Sequence, residues 1–432
     1  MIVEFSVGNF RSIKEVQTIS FVATGLKSSE DNSEVDLNNI EEEGGIRLLK
    51  TVGIYGANGS GKSNIIKAFE YFLQTIKQEP SSESNLNSVC DPFLYENNAI
   101  ETESFFQIVL FVEGKKYRYG YTVKKNLNLK LGEKDSKEII TNEWLSGTKK
   151  NNIGEFFIRE GLNISKDKLP NDDKIPPIPY EHTLFLTHAS AFDKEGICAL
   201  VRNTIAHWTI SNFKGFEQFR WNSIVLLDDV KKKTEFLDLL SSFNLKYEDV
   251  IIEREPNKPL QDIPTQDKIF FFRSYKNQNN ETINIKLNLG NNESAGTQKL
   301  FDIAGLLLRA FSMPKSVFVI IDEVDSNFHP SLLIKLIGLF NNPKINKSKS
   351  QLLFTSHDTN LMSPSLMRRD QFYFTEKRDN NSTRLYSLAD LKGIRNDANF
   401  SKDYLVGLYG ALPILENYSN QNSIQDEGTV EH

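Results

Sequence analysis

Residues 48–63, LLKTVGIYGANGSGKS, place the tightest constraint on what this chain can fold into. An apolar stretch runs into Gly56, Gly59 and Gly61. Lys62 and Ser63 then open the run NIIKAFEYFLQTI, whose Ile65, Ile66, Phe69, Phe72, Leu73 and Ile76 recur at helical spacing. The stretch from Gly56 to Ser63 satisfies the pattern G-x-x-x-x-G-K-[ST], with a strand before it and a helix after it. Glycines let the backbone curl so that its N–H groups converge, and the helix N-terminus adds a favourable field for an anion. The expected ligand is therefore a polyphosphate nucleotide, contacted by Gly56, Asn58, Gly59, Ser60, Gly61, Lys62, Ser63 and Asn64. Lys62 supplies charge to the β- and γ-phosphates, and the Ser63 hydroxyl is a candidate ligand for Mg2+.

Further elements surround this unit. The segments IVEFSVGNF and EVQTISFVA, joined through RSIK, read as two strands. SFFQIVLFV and KKYRYGYTV, about Glu113-Gly114, read as an antiparallel hairpin. Residues 27–45 are polar and acidic and read as a loop, as do residues 78–92. From about 124 to 180 the chain is Asn- and Lys-rich and ends in DDKIPPIPY, which reads as a boundary. Residues 183–250 have helical character. KIFFFRSY and INIKLNL follow as strands, and then the helical run QKLFDIAGLLLRAF. Strand and helix next alternate through SVFVII, PSLLIKLIGLF, QLLFT and QFYFT, a pattern that predicts a parallel sheet covered by helices.

Two of these later strands end in chemistry. SVFVIIDEVD presents Asp322, a candidate Mg2+ ligand, and Glu323, a candidate for orienting the attacking water. QLLFTSHD places His357 just beyond the next strand, where a parallel sheet brings it to the edge that carries the phosphate loop. The stretch NESAGTQKL at 292–300 sets Ser294, Gly296 and Thr297 at the start of a helix but lacks the lysine motif of a phosphate loop and a preceding loop of phosphate-binding length. It looks like an anion site without an anion.

The ordered set VGNFRSIK, GANGSGKSN, ESAGTQKL, IIDEVDSNFHP, TSHD and YLVGLYGALPIL spans the sequence. It resembles the ABC-type ATPase heads of the SMC, RecF and overcoming-lysogenization-defect group. More narrowly, it is similar to stand-alone bacterial ATPases of the RloA and abortive-infection type. The resemblance implies an α/β fold, a P-loop NTPase of ABC-head type, with a mixed sheet, an N-terminal antiparallel β lobe and a helical insertion. It also implies a signature segment, usually written LSGGQ, that reaches the γ-phosphate bound to the opposite protomer. Here Ser294, Ala295, Gly296 and Thr297 take that place, without the usual leucine and second glycine. By the same resemblance Asp325 belongs to a loop that touches the partner, and Arg11 lies near the nucleotide.

The expected organisation is an N-terminal ATPase lobe at 1–180, a lid-like helical insertion at 181–265, a C-terminal ATPase lobe at 266–416 and a disordered tail at 417–432. The expected partners are a second copy, or a higher oligomer, through the ATP sites, and a separate effector protein such as a nuclease in anti-phage defence. DNA is an alternative partner, as in a DNA-maintenance ATPase, and a slowly hydrolysing, nucleotide-gated scaffold is a third reading. The chain is 432 residues long with a formal charge of −6, so DNA binding would need a local patch such as Lys231–Lys233 or Lys344, Lys347 and Lys349. Two cysteines, Cys90 and Cys198, fit a reducing compartment. The N-terminus lacks the pattern of a signal peptide, and no apolar run approaches the ~20 residues of a membrane span. A cytoplasmic location without a membrane is expected.

Overall fold

The computed structural model describes residues 1–80, 91–96, 101–125, 138–149, 152–211, 216–253, 268–326 and 328–413. The tail expected at 417–432 and Cys90 lie outside them. A six-stranded sheet forms the centre, in the order Thr209–Ser211, Phe318–Ile321, Gln351–Thr355, Thr51–Gly56, Phe372–Lys377 and Thr383–Ser387. Its first five strands are parallel, as the strand–helix alternation predicts. The last strand turns back antiparallel.

Both faces of this sheet are buried, which is why its strands are almost continuously apolar. Val52, Ile54, Phe318, Ile320 and Leu353 face one core together with the helix Lys62–Lys77. Tyr55, Val319, Ile321, Leu352, Phe354, Phe372 and Phe374 face another. In that second core, Leu300, Ile303, Ala304 and Leu307 of the helix Ala295–Ser312 pack as their spacing predicts.

A seven-stranded antiparallel sheet closes over the first core, in the order Asn163–Ser165, Asn152–Glu160, Glu138–Lys149, Lys115–Lys125, Ser104–Val112, Ile2–Gly8 and Gln17–Ser20. Phe5 stacks on Phe69 at 3.8 Å and Phe72 on Tyr121 at 5.8 Å, so the lobe rests directly on the phosphate-loop helix.

Three local expectations are corrected. The region 124–180 was expected to be polar connection and instead contributes the strands Glu138–Lys149, Asn152–Glu160 and Asn163–Ser165. A sheet with one wet face needs an apolar residue only at alternate positions, and an Asn/Lys-rich average conceals that period. Within these strands Glu143 and Arg159 are fully buried and paired at 3.3 Å. Glu143 also accepts from Tyr119 and from the first N–H groups of the helix Phe185–Phe192. The stretch 27–45 is not a plain loop: it forms the short helix Ser33–Asn38 and the strand Ile40–Glu43, paired with Ile46–Leu49. LLKTVGIYG is accordingly two strands, broken between Leu49 and Thr51.

Residues 183–250 carry the helices Phe185–Phe192, Ile197–Ala206, Arg220–Leu226 and Val230–Ser242. Their packing divides. Leu184 to Trp208 join the core beneath the antiparallel lobe, while Phe219 to Val250 join the opposite core. Thr209–Ser211 between them adds a strand to the central sheet.

Two buried glutamines secure the start of the phosphate-loop strand. Gln351 donates to the carbonyls of Ile2 and Leu49 and accepts from the Ile2 N–H at 2.7 Å, bonding the antiparallel lobe to the central sheet. Gln371 donates to Thr51 O and Oγ1 and accepts from Asn39 and from the Arg368 N–H. Replacing Gln351 by leucine keeps the volume but strands three buried backbone groups. The expected loss is about 2–4 kcal/mol, since each unsatisfied group costs about 1–3 kcal/mol and relaxation recovers part of it. Urea denaturation of the wild type and Gln351→Leu measures it.

Candidate nucleotide site

The loop after Gly56 is shaped by close approach. Gly56, Gly59 and Gly61 hold φ of +148°, +77° and +113°, which side chains with a Cβ rarely adopt. A Cβ on Gly61 would run into the Thr383 side chain, and one on Gly56 would meet Thr375 Oγ1 at 2.7 Å. The loop is braced by the hydroxyl groups of Ser12, Thr375 and Thr383, none of which stands out in the sequence. Ser60 Oγ shares a 2.6 Å hydrogen bond with Thr375 Oγ1, Thr383 Oγ1 donates to Ser60 O, and Asn64 Nδ2 donates to Ser12 Oγ at 2.7 Å. Ser12 Oγ and Thr383 Oγ1 lie 2.7 Å apart and close the belt. Asn58 and Gly59 stand exposed at the tip, and Ser63 is half-buried in the first turn of the helix.

Lys62 is buried and turned onto its own loop, donating to Gly56 O at 2.8 Å and Ala57 O at 3.1 Å. Burial lowers its pKa, and the carboxylates of Asp322, Glu323 and Asp325 act in the opposite direction. Those three acids therefore share the sheet edge with the lysine, although they arrive about 260 residues later in the chain.

Asp322 is buried; its Oδ1 accepts from Thr355 Oγ1 at 2.5 Å and its Oδ2 has no partner. Glu323 is exposed, in a left-handed conformation with φ of +50°, and its N–H donates to Thr355 Oγ1 at 2.7 Å. Asp325 accepts from the His357 N–H at 3.2 Å and keeps its other oxygen buried without a partner. His357 is exposed at the end of the neighbouring strand. Its pKa falls below the ordinary value, first from lost solvation and then from the Lys62 ammonium, with Asp325, Glu323 and Asp322 acting in the opposite direction.

Two further predicted positions make contacts of their own. Arg11, also at positive φ, is held 2.8 Å from Asp91 Oδ2 and donates to Tyr71 Oη, two turns along the phosphate-loop helix. Its neighbour Ser12 is the residue of that turn that touches the loop. Ser294 caps the helix Ala295–Ser312, accepting from the Thr297 N–H at 3.2 Å, as the sequence predicts for a helix start. Ser294 is exposed, Gly296 half-buried and Thr297 buried. One turn on, Lys299 donates to Ser326 O and Oγ, tying this helix to the segment that follows the acids.

The residues fit a nucleoside triphosphate with a divalent cation. Gly56 and Gly61 let the loop pack closely on Thr375 and Thr383, Lys62 supplies a buried cation beside it, and Asp322 Oδ2 is a buried oxygen without a partner. Ser63 and Asp322 would hold Mg2+. Among the described residues no group of three or more His, Cys, Asp or Glu could hold a metal ion by itself.

This fold and arrangement are those of a P-loop nucleotide-binding domain. The chain belongs to the family described as "AAA domain, putative AbiEii toxin, Type IV TA system", whose model matches residues 52–363. It is similar, at 14% identity and a TM-score of 0.39, to the SMC head domain from Thermotoga maritima, over 89% of this chain and 98% of that one. Similarity to the recombination mediator protein RecF-ATPrS of the RecFOR pathway has 12% identity and a TM-score of 0.32, over the same shares. Both scores are low, and the membership rests on the family model. No curated protein matches the sequence. No helix among the described residues is long and apolar enough to cross a membrane.

Replacing Lys62 by alanine removes the buried cation and two hydrogen bonds to the loop. The expected result is a loss of about tenfold or more in affinity for a fluorescent ATP analogue, from the ~1.5–3 kcal/mol of a charged hydrogen bond. Fluorescence titration of folded protein, with circular dichroism as the control, measures it.

Proposed function

We propose that this protein binds and hydrolyses ATP with Mg2+, that two copies close head-to-tail on ATP, and that the cycle regulates a separate effector, such as a nuclease, in bacterial anti-phage defence. The observation that carries the reading is the convergence of Lys62, Asp322, Glu323 and His357, from three adjacent parallel strands and their loops, at one edge of the central sheet. Bound ATP supplies the phosphoanhydride to be cleaved, and Mg2+ supplies charge neutralisation.

The protein's own groups do the rest. The loop N–H groups and Lys62 orient and neutralise the phosphates. Asp322 and Ser63 hold the cation. Glu323, exposed and fixed by its backbone, accepts a proton from the attacking water, and His357 contacts the terminal phosphate. Ser294, Gly296 and Thr297 sit at the start of a helix whose capping serine is exposed, which supports a role toward phosphate held by another copy. Loss of the terminal phosphate removes what both copies bind and loosens the pair.

The family's description, with its AbiEii toxin and Type IV TA system, supports the defence setting. Two ion pairs favour an effector over DNA. Lys233 pairs with Asp249, and Lys349 with Glu41 at 2.7 Å, so part of each lysine cluster is neutralised within the protein.

Glu323→Gln is expected to lower steady-state turnover by about 10²-fold or more while retaining ATP binding, and to accumulate an ATP-bound dimer, seen by light scattering on a sizing column. Turnover equal to wild type removes Glu323 from the mechanism. Ser294→Arg is expected to leave nucleotide affinity in the monomer unchanged and to abolish the dimer. Loss of affinity in the monomer instead would place the segment at its own chain's phosphate loop.

A further inference from the structure

Thr355 ends the strand beside the phosphate-loop strand and is completely buried. Its hydroxyl makes two contacts with the acidic segment: it donates to Asp322 Oδ1 at 2.5 Å and accepts from the Glu323 N–H at 2.7 Å. Its carbonyl accepts from the Val324 N–H at 3.0 Å. One residue thus holds three consecutive positions of the segment that the sequence marks as reactive. A hydroxyl has one proton and two lone pairs. With the proton committed to Asp322, a lone pair is left to receive the Glu323 N–H, so both bonds are made at once and in one sense.

The consequences for the two acids differ. Asp322 has one oxygen engaged, which turns its remaining buried oxygen, Oδ2, into the free ligand atom. Glu323 is held at φ of +50°, a conformation that a glutamate adopts only where its surroundings enforce it. The bond from Glu323 N to Thr355 Oγ1 is an enforcing contact at that residue, and the Val324 N–H to Thr355 O bond follows directly.

We propose that Thr355 is the positioning residue of the hydrolytic site, acting through Asp322 on the divalent cation and through the Glu323 backbone on the attacking water. This rests on the ATPase reading given above. Groups that orient a metal ligand typically change metal affinity or activity by about 10–100-fold when removed.

The test compares Thr355→Val, which keeps the shape and removes the hydroxyl, with Thr355→Ser, which keeps the hydroxyl. Binding of a fluorescent ATP analogue in EDTA is measured first, then Mn2+ binding in the presence of a non-hydrolysable ATP analogue by electron paramagnetic resonance, then kcat and KM at saturating Mg2+. The expected result for Thr355→Val is unchanged metal-free nucleotide affinity, Mn2+ affinity weakened about tenfold or more, and kcat lowered about 10–100-fold with KM for ATP within about threefold. Thr355→Ser restores both to within about threefold.

Equal Mn2+ affinity and kcat in folded Thr355→Val and wild type overturn the proposal and leave the ATPase reading intact. A wild type that neither binds nor hydrolyses ATP overturns that reading, and this one with it. If valine is not tolerated in the fold, Thr355→Cys, with the size of serine and a much weaker hydrogen bond, makes the same comparison. Behaviour like that of Thr355→Ser would then count against the proposal.

Discussion

Three strands in parallel register decide where the reactive groups of this protein arrive. Thr355 pairs with Ile54, and Thr375 pairs with Gly56, so the phosphate-loop strand is flanked on both sides at the point where it gives way to the loop. From one flank come Thr355 and His357, and one strand further come Asp322 and Glu323. From the other flank come Thr375 and, across the final hairpin, Thr383, which pack against Gly56 and Gly61. A slip of one residue in either pairing would carry each side chain to the opposite face and separate the hydroxyls from the glycines they brace. Burial of both faces is what forbids such a slip.

The order of the chain is not the order of the site. The lysine, the acids and the histidine meet because parallel strands all release their C-terminal ends at one edge, which collects groups spaced hundreds of residues apart. The edge is also electrostatically coupled. An ammonium, three carboxylates and an imidazole influence one another there, with the acids favouring the charged lysine and the lysine disfavouring a charged histidine. The acids favour the charged histidine as well, but lost solvation outweighs them and its pKa stays below the ordinary value.

Much of this was readable from residues alone, and the unreadable part has a common cause. The glycine loop, the helix after it, Asp322 and Glu323 beyond an apolar strand, His357 beyond the next, and the Ser294 cap each announce themselves through local pattern. The bracing hydroxyls do not. Ser12, Thr355, Thr375 and Thr383 are ordinary residues whose roles exist only once distant segments are side by side. Arg11 and Ser12 make the point within two residues: the charge draws attention, yet it is turned to Asp91 and Tyr71, while the serine meets the loop. The strands at 138–160 were hidden for another reason. Their core-facing positions include a buried Glu143–Arg159 pair, which reads as surface charge until Tyr119 and the helix at Phe185 are seen to receive it.

Lys62 has a further consequence. Its ammonium already bonds to two carbonyls of its own loop, so an incoming phosphate does not meet an unsatisfied cation but must exchange for those carbonyls. Affinity then reflects a difference between two sets of hydrogen bonds rather than the full strength of either. Ligands with a single phosphate gain little from the exchange, whereas a chain of phosphates long enough to engage the loop N–H groups and the lysine together gains from both. On the proposed reading the lysine favours longer phosphate chains, and its two bonds to Gly56 and Ala57 hold the loop's shape before a ligand arrives.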